Sequence, residues 1–285
     1  MRPTTLRTVM KHKWLLMLTL VLTSGTAMAQ AVHTAWADSA AVAAKVVEHQ
    51  WMWGAGRANV LDTYLSPLEY TGPDFNVLHR TERPLRRSAG RLSLHTLFTA
   101  HLAYLHSPTD DGKEWDGELS LSGGAWRNWH VSDNWRLAAG CSGEVSGGFT
   151  YNTRGSNNPA QGRLGLGLQA SALSAYGFRL LGQAVVWNVQ ADVQLAGLQF
   201  SPEYGQSYYE IFGLGHTAGI VHFTHPLNCP TGRLLTTLSL PLRRAALHIG
   251  YLADVRQSKL GGLKRHAWRN CLTIGYSYRL QRIGR

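Results

Sequence analysis

The sequence predicts an all-β protein, an antiparallel transmembrane β-barrel of about 12 strands that follows a cleaved signal peptide. Three observations predict this class: a leader typical of exported proteins, long segments of apolar–polar alternation, and aromatic residues at both ends of neighbouring segments. Of the 285 residues, 44% are hydrophobic and 16% are charged. This composition excludes intrinsic disorder and coiled coils.

The first 29 residues have the pattern of a secretory signal peptide. Four basic residues precede an apolar run at residues 14–22, and Ala27 and Ala29 form a small-residue cleavage motif. The apolar run is too short to cross the hydrocarbon core, which takes about 20 helical residues. We expect residues 1–29 to be removed and residues 30–285 to form the barrel, with a short periplasmic segment at residues 30–46.

The distribution of charges and cysteines argues against nucleic-acid, zinc and cofactor binding. The formal charge is +11, but the basic residues are scattered along the chain, so we expect no nucleic-acid partner. Cys141, Cys229 and Cys271 form no disulfide framework and lack zinc spacing, although one pair could be oxidised. No phosphate-binding loop or dinucleotide motif occurs, so we expect neither a metal nor another cofactor.

Alternation over long segments indicates strands. In residues 91–105, 135–151 and 268–280, one face is mainly apolar, while the other is rich in small, polar and charged residues. A soluble β-sandwich also alternates, but strands in globular proteins typically run about 5 to 6 residues. The longer alternation and the polar face favour a barrel with a wet lumen.

Aromatic residues mark both ends of two neighbouring segments. Trp115 and Trp129 lie 14 residues apart on one segment, and Trp135 and Phe149 lie 14 apart on the next. At ~3.3 Å per residue and a tilt near 45°, this spacing spans roughly 33 Å, slightly more than an apolar band of about 25 Å. We therefore expect two aromatic girdles at the membrane interfaces.

The connections predict the orientation. The expected strands are residues 47–60, 74–83, 91–105, 115–129, 135–151, 163–173, 178–192, 207–215, 219–225, 233–241, 246–255 and 266–280. Short connections (84–90, 130–134, 174–177 and 242–245) alternate with long ones (61–73, 106–113, 152–162, 193–206 and 256–265). We therefore place both termini in the periplasm. Ten strands with a folded-in segment at residues 207–225 is the alternative interpretation.

Charged residues in the polar phase of these strands are expected to line the lumen. They are Asp116, Glu118, Arg136, Glu144, Arg163, Asp254, Arg256 and Arg269, and Arg91, His248 and Arg279 share the same phase. Both signs occur, and an unpaired charge away from water is costly. We therefore expect these residues to pair across the lumen and block it.

The segment LQFSPEYGQSYYEIFGLG, residues 198–215, lacks this alternation. Aromatic faces with amide and carboxylate groups suit a small ligand such as a glycan, and the same residues suit a plug. The candidate residues are Glu203, Tyr204, Gln206, Tyr208, Tyr209 and Glu210. A packed loop that closes the barrel is the favoured interpretation, because tyrosine-rich loops pack well on themselves.

Four segments carry a resemblance to a known family. They are GAGRANVLDTYLSP (54–67), EYTG (69–72), SPEYGQSYYEIF (201–212) and GYLADVRQSKLGGLKRH (250–266). In these the chain resembles an exported Bacteroidetes family that is catalogued only as a domain of unknown function. The resemblance implies a β-barrel in the outer membrane of a Gram-negative bacterium. It supplies no catalytic residue, ligand or partner.

The resulting functional hypothesis is a non-enzymatic outer-membrane barrel that binds or passes a small solute. Its expected partners are outer-membrane lipids, the barrel-insertion machinery and an envelope protein. An accessory or structural subunit of an envelope complex is the second hypothesis. An outer-membrane lipid-modifying enzyme is the third hypothesis. It ranks last because the sequence contains neither a GxSxG motif nor Ser, His and acidic residues at the spacing of a hydrolase.

Overall fold

The computed structural model describes residues 46–281, except residues 86, 87, 89, 156, 157, 243 and 244. Within these residues ten antiparallel strands close a ring, and an eleventh strand pairs outside it. The strands are β1 (Val46–Asp62), β2 (Tyr70–Pro84), β3 (Leu92–His106), β4 (Lys113–Ser132), β5 (Trp135–Asn152), β6 (Ala160–Leu180), β7 (Gln183–Phe200), β8 (Val221–Thr224), β9 (Thr231–Pro241), β10 (Ala245–Leu260) and β11 (Leu263–Gln281).

The ring closes between its first and last strands. β1 pairs with β11 along its length, from Val46 opposite Gln281 to Asp62 opposite Arg265. The remaining strands pair with their neighbours in the chain, except that β7 pairs with β9. β8 lies outside the ring because it pairs with β7 beyond Val193, where the pairing with β9 stops. Closure leaves the ring without an open edge, as a sheet surrounded by hydrocarbon requires.

The predicted count of twelve strands is wrong, because residues 207–215 do not form a strand. They contain a short helix, α1 (Tyr208–Phe212), and the predicted strand 219–225 shortens to β8. A capping box starts the helix: the Ser207 hydroxyl accepts a hydrogen bond from the Glu210 backbone, and the Glu210 carboxylate accepts one from the Ser207 backbone. Ten strands with a folded-in segment, the alternative interpretation, matches the structure.

Three predicted connections are also wrong. Residues 174–177 lie inside β6, and the chain turns at Leu181 and Gly182 instead. Most of 193–206 belongs to β7, and 256–265 contracts to a two-residue turn at Gly261 and Gly262. Both residues of each tight turn have positive φ, as a type I′ hairpin needs. Hairpins this tight let the flanking strands run longer than the alternation predicted.

The barrel is apolar outside and polar inside. Phe75, Leu164 and Leu272 point outward and remain 65%, 65% and 73% exposed, whereas Asp116, on the inner face, is 0% exposed. Trp115 and Trp129 of β4 also point outward, near opposite ends of that strand. This arrangement inverts that of a soluble protein and is typical of a barrel surrounded by lipid.

The chain ends share one end of the barrel, here called the lower end. The β2–β3, β4–β5, β6–β7 and β9–β10 connections join strands at this end, and the β1–β2, β3–β4, β5–β6, β7–β8 and β10–β11 connections join them at the upper end. The predicted signal peptide and residues 30–45 lie outside the described residues, and Val46 already belongs to β1. In the described part of the chain, no helix is long and apolar enough to cross a membrane.

Gly56 tests the seam that closes the barrel. A Cβ added at Gly56 would lie 1.9 Å from the carbonyl oxygen of Asn270 on β11, whereas one added at Gly143 would meet nothing within 4 Å. We expect Gly56→Ala to lower the free energy of unfolding by about 1–3 kcal/mol, because overpacking forces the strands apart. Heat-dependent loss of the compact band in semi-native electrophoresis measures this change. Equal behaviour of Gly56→Ala and the control Gly143→Ala would contradict the described seam.

Candidate functional site

A network of buried charges occupies the upper half of the barrel interior. Its side chains are at most 11% exposed, and they project from β1, β4, β5, β6, β9, β10 and β11. This charge network comprises Asp62, Asp116, Glu118, Glu144, Arg163, Arg233, Asp254, Arg256, Arg265 and Arg269. Strand alternation turns each of these residues inward, since their outward neighbours are mainly apolar or small.

Asp116 of β4 is the centre of one half of the network. Its carboxylate pairs with Arg269 of β11, and it also lies 3.0 Å from Arg163 Nη2 and 3.2 Å from Arg265 Nη2. The Thr150 hydroxyl donates a further hydrogen bond of 2.7 Å. β6 and β11 are not neighbours of β4 in the ring. These ion pairs therefore cross the lumen.

Arg256 of β10 organises the other half. Its Nε atom lies 2.7 Å from Glu118, and its Nη1 atom lies 3.1 Å from Glu144. Glu144 also accepts a 2.8 Å hydrogen bond from Arg233 Nη2. β5, which carries Glu144, does not border β9 or β10. Carboxylates and guanidinium groups therefore compensate one another across the width of the barrel.

Seven of the eight residues predicted to line the lumen belong to this network. The eighth, Arg136, is inside but lower, where it pairs with Glu82. His248 is also buried and lies 2.8 Å from the Ser239 hydroxyl. The inward placement of Arg91 is wrong, whereas Arg279 keeps the inward phase but is exposed at the rim. Arg91 precedes β3 and is exposed, and Arg279 lies on the lower rim beside Glu48, because both stand where the regular sheet ends.

Sequence reasoning missed Asp62, Arg233 and Arg265 as network members. Arg265 falls in the predicted connection 256–265, one residue before the predicted last strand, and Asp62 falls in the predicted connection 61–73. Alternation nevertheless predicts which way these side chains point, since Arg265 and Arg269 are four residues apart and therefore lie on the same face of a strand. What the sequence did not reveal was the length of the strands.

A smaller polar group surrounds Asp74. One of its oxygens lies 2.9 Å from His101 Nδ1 and 3.2 Å from the thiol of Cys271. All three residues are buried, and none of them lines either cavity described below. Cys141, Cys229 and Cys271 are free thiols. No group of His, Cys, Asp and Glu within the described ranges is arranged to hold a metal ion.

Two cavities adjoin the charge network. The larger is a cleft with about 550 Å³ of space between its walls, open solvent included, and it is bordered by Glu118, Glu144, Arg163, Arg256, Arg265, Gln194 and Gln199 among others. The smaller, of about 240 Å³, lies nearer the upper end and is bordered by Asp62, Gln161, Ser201 and Leu260 among others. Arg163 and Arg265 border both cavities. Arg265 Nε is buried, and no acceptor among the described residues contacts it.

The connection 201–220, here called the cap, extends across the upper mouth. The Tyr208 hydroxyl accepts a 2.6 Å hydrogen bond from the Gly162 backbone on β6. Tyr64, in the β1–β2 connection, donates to the Gln206 carbonyl at 3.1 Å, and the Tyr204 backbone donates to Gly261 at 2.9 Å. Burial raises the pKa of Tyr64 to about 12, so this phenol keeps its proton at neutral pH.

The six residues predicted as a plug or ligand site do not converge on one pocket. Tyr204 and Tyr209 are 78% and 71% exposed, whereas Tyr208 packs inward and Glu210 caps α1. Gln206 accepts a hydrogen bond from the Glu203 backbone. None of the six borders the two cavities. Their contacts fit a cap that packs on itself better than a ligand site.

Comparison with known proteins identifies the family. Residues 14–285 match the model of the family described as "Protein of unknown function (DUF3316)". The chain belongs to this family. No curated protein matches the sequence.

The fold is similar to that of solved outer-membrane proteins. The outer membrane protease OmpT from Escherichia coli shares 7% identity, covers 83% of this chain and 97% of its own, and has a TM-score of 0.53. The translocator domain of the autotransporter NalP from Neisseria meningitidis shares 11% identity over 83% of this chain and 88% of its own, with a TM-score of 0.41. At such identities the likeness to OmpT shows the fold alone. The Bacteroidetes origin stays a prediction.

Tyr208 and Tyr209 provide a matched test of the cap. Tyr208→Ala removes the contacts with Gly162, so we expect the cap of the folded barrel to be cleaved by proteinase K at least about tenfold faster. Tyr209 is exposed, and Tyr209→Ala should leave the cleavage rate within about twofold of the original. Cleavage at the same rate in both variants would show that Tyr208 does not anchor the cap.

Proposed function

We propose that this chain is an outer-membrane barrel that binds a small zwitterionic solute in its larger cavity while the charge network keeps the lumen closed. The three arginines that border the cavity, Arg163, Arg256 and Arg265, carry the proposal, and Arg265 Nε has no acceptor among the described residues. A buried donor without an acceptor is costly, so a ligand that supplies an acceptor there gains binding free energy. A carboxylate suits the guanidinium group best, because the hydrogen bonds between them are charge-assisted.

The lining of the cavity supports a ligand with both charges. Arg163, Arg256 and Arg265 border it together with the carboxylates of Glu118 and Glu144, which suit an ammonium group. The remaining lining includes the amides of Gln194, Gln199 and Gln257 and the hydroxyls of Thr224, Thr231 and Ser258. An amino-acid-like solute fits this chemistry.

The same charges argue against passive flow through the lumen. An open water path would require the ion pairs of Asp116, Glu118 and Glu144 to separate. Breaking one buried pair typically costs about 3–5 kcal/mol, because it leaves an uncompensated charge. The proposal is therefore binding at one side of a closed barrel, without diffusion through it.

The proposed location is the outer membrane of a Gram-negative bacterium, with the termini in the periplasm. The apolar exterior, the barrel fold and the signal-like sequence of residues 1–29 support it. Short turns characterise the periplasmic side of such barrels, and β4 joins β5 through residues 133–134 at the end that holds the termini. Outer-membrane lipids and the barrel-insertion machinery are the partners that follow from this location.

Thermal unfolding of the purified barrel in neutral detergent, with each free L-amino acid in turn, tests the proposal. A ligand at 100 times its dissociation constant should raise the free energy of unfolding by about 2.7 kcal/mol. We expect at least one amino acid to stabilise the original protein and to lose this effect in Arg265→Gln. Arg279→Gln, on the exposed lower rim, is the control and should keep it.

Two results would contradict the proposal. One is the absence of stabilisation by every amino acid, and the other is equal stabilisation of Arg265→Gln and the original protein. Arg265 also contacts Asp116 and Glu118. Migration of the unheated variant as a compact band confirms that it is folded before its binding is compared.

A further inference from the structure

The outer surface of β10, β11 and β1 carries a group of cations near the upper end of the barrel. Lys259 lies directly opposite Lys264 across the β10–β11 ladder, and Gln257 lies opposite His266 in the next outward-facing pair. On the other side of β11, Arg57 lies opposite Asn270. Arg57, Lys259, Lys264 and His266 are here called the basic face.

The basic face points away from the lumen. Arg265 and Arg269 of β11 are turned inward, so Lys264, His266 and Asn270 are turned outward. Arg57, Lys259 and Lys264 are exposed. Farther down the same outer surface, Leu272 and Ile274 are 73% and 56% exposed, as lipid-facing residues are. The basic face therefore lies where the apolar wall gives way to polar residues.

An aromatic residue marks this boundary. Trp268 is 42% exposed, and its ring stacks on His266 with a centroid separation of 4.6 Å. At the other end of β11, Tyr276 and Tyr278 form a second aromatic group. Tryptophan and tyrosine concentrate at the two interfaces of a membrane. Lys259 and Lys264 lie beyond Trp268, whereas Arg57, opposite Asn270, lies two residues on its apolar side, so the face spans this boundary.

Three of the four residues of this face, Arg57, Lys259 and Lys264, have no carboxylate partner among the described residues. Like charges directly opposite each other destabilise a sheet, and Lys259 and Lys264 are such a pair. Glu69 contacts Asn59 at 3.1 Å and His266 at 3.9 Å. Elsewhere on the upper rim, Arg154 is paired with Asp111 at 2.7 Å.

We propose that the basic face binds the phosphate groups of a phosphorylated glycolipid in the surrounding leaflet. Phosphate supplies several strong acceptors, and arginine binds it with two parallel hydrogen bonds. Asn270 adds a polar contact beside Arg57, because its side-chain oxygen already accepts a 2.5 Å hydrogen bond from Tyr251 and its amide hydrogens remain to donate. The acyl chains lie along Leu272 and Ile274 below.

The position of the face determines its occupant. Arg57 is four residues above Trp53 on the outward face of β1, so the basic face adjoins the apolar wall of the barrel. Inorganic phosphate would satisfy the charges but would leave the adjoining apolar wall without a partner. The assignment of this leaflet as the outer one rests on the orientation proposed above. The binding of the lipid to the basic face does not depend on that orientation.

Native mass spectrometry of the barrel in neutral detergent, titrated with bisphosphorylated lipid A, tests this inference. The test variant is Arg57→Gln/Lys259→Gln/Lys264→Gln. Each basic residue near an anionic surface contributes about 1 kcal/mol, so we expect at least about tenfold weaker lipid binding in this variant. The matched control, Lys113→Gln/Arg127→Gln/Arg179→Gln, removes three charges elsewhere and should bind within about twofold of the original protein.

Two further titrations identify the source of the phosphate. Lipid A without its phosphate groups should bind at least about tenfold more weakly than the bisphosphorylated form. Inorganic phosphate at millimolar concentration should not displace the bound lipid. Equal binding by the test variant, equal binding of the dephosphorylated lipid, or displacement by inorganic phosphate would overturn the inference. Failure of amino-acid binding would leave it standing, because the two sites share no residue.

Discussion

The ion pairs between Asp116 and three arginines, Arg163, Arg265 and Arg269, are the contacts on which the interior depends. They join β4 to β6 and β11, strands that share no backbone ladder with it. Buried ion pairs often add little net stability compared with apolar packing, but removal of one partner strongly destabilises the fold because the other charge stays buried without a counter-charge. The network therefore acts mainly as a constraint. Each arginine requires its carboxylates, and the set holds only while the barrel is closed.

This constraint explains why the candidate site lies where it does. A barrel in lipid turns its apolar side chains outward, so its core must be built from polar groups and ordered by hydrogen bonds and charge pairing. Where the pairing is complete, as at Asp116, the interior is filled. Beside it, a cavity lined by charged and amide groups remains, bordered by Arg163, Arg256 and Arg265. The cap then covers the upper mouth through contacts with β6, the β1–β2 connection and the β10–β11 turn.

Much of this architecture could be predicted from the sequence. The period-2 alternation of β3, β5 and β11 identified the lipid-facing and lumen-facing sides, because one residue of offset would invert every side chain. Glycines 261 and 262 form a type I′ turn inside the predicted long connection 256–265. The helix at residues 208–212 was missed, although Ser207 and Glu210 have capping-box spacing. The pairing of charges from distant strands depends on ring order and stagger, which no local pattern contains.

Planar-bilayer conductance of the purified barrel measures most directly whether the charge network closes the lumen. The account predicts that the original protein gives no stable channel, whereas Asp116→Ala, which removes the carboxylate shared by three arginines, gives intermittent conductance steps. Arg279→Gln, on the lower rim, should behave like the original protein. Large, stable channels in the original protein would contradict the account, because the ion pairs would then leave a continuous water path.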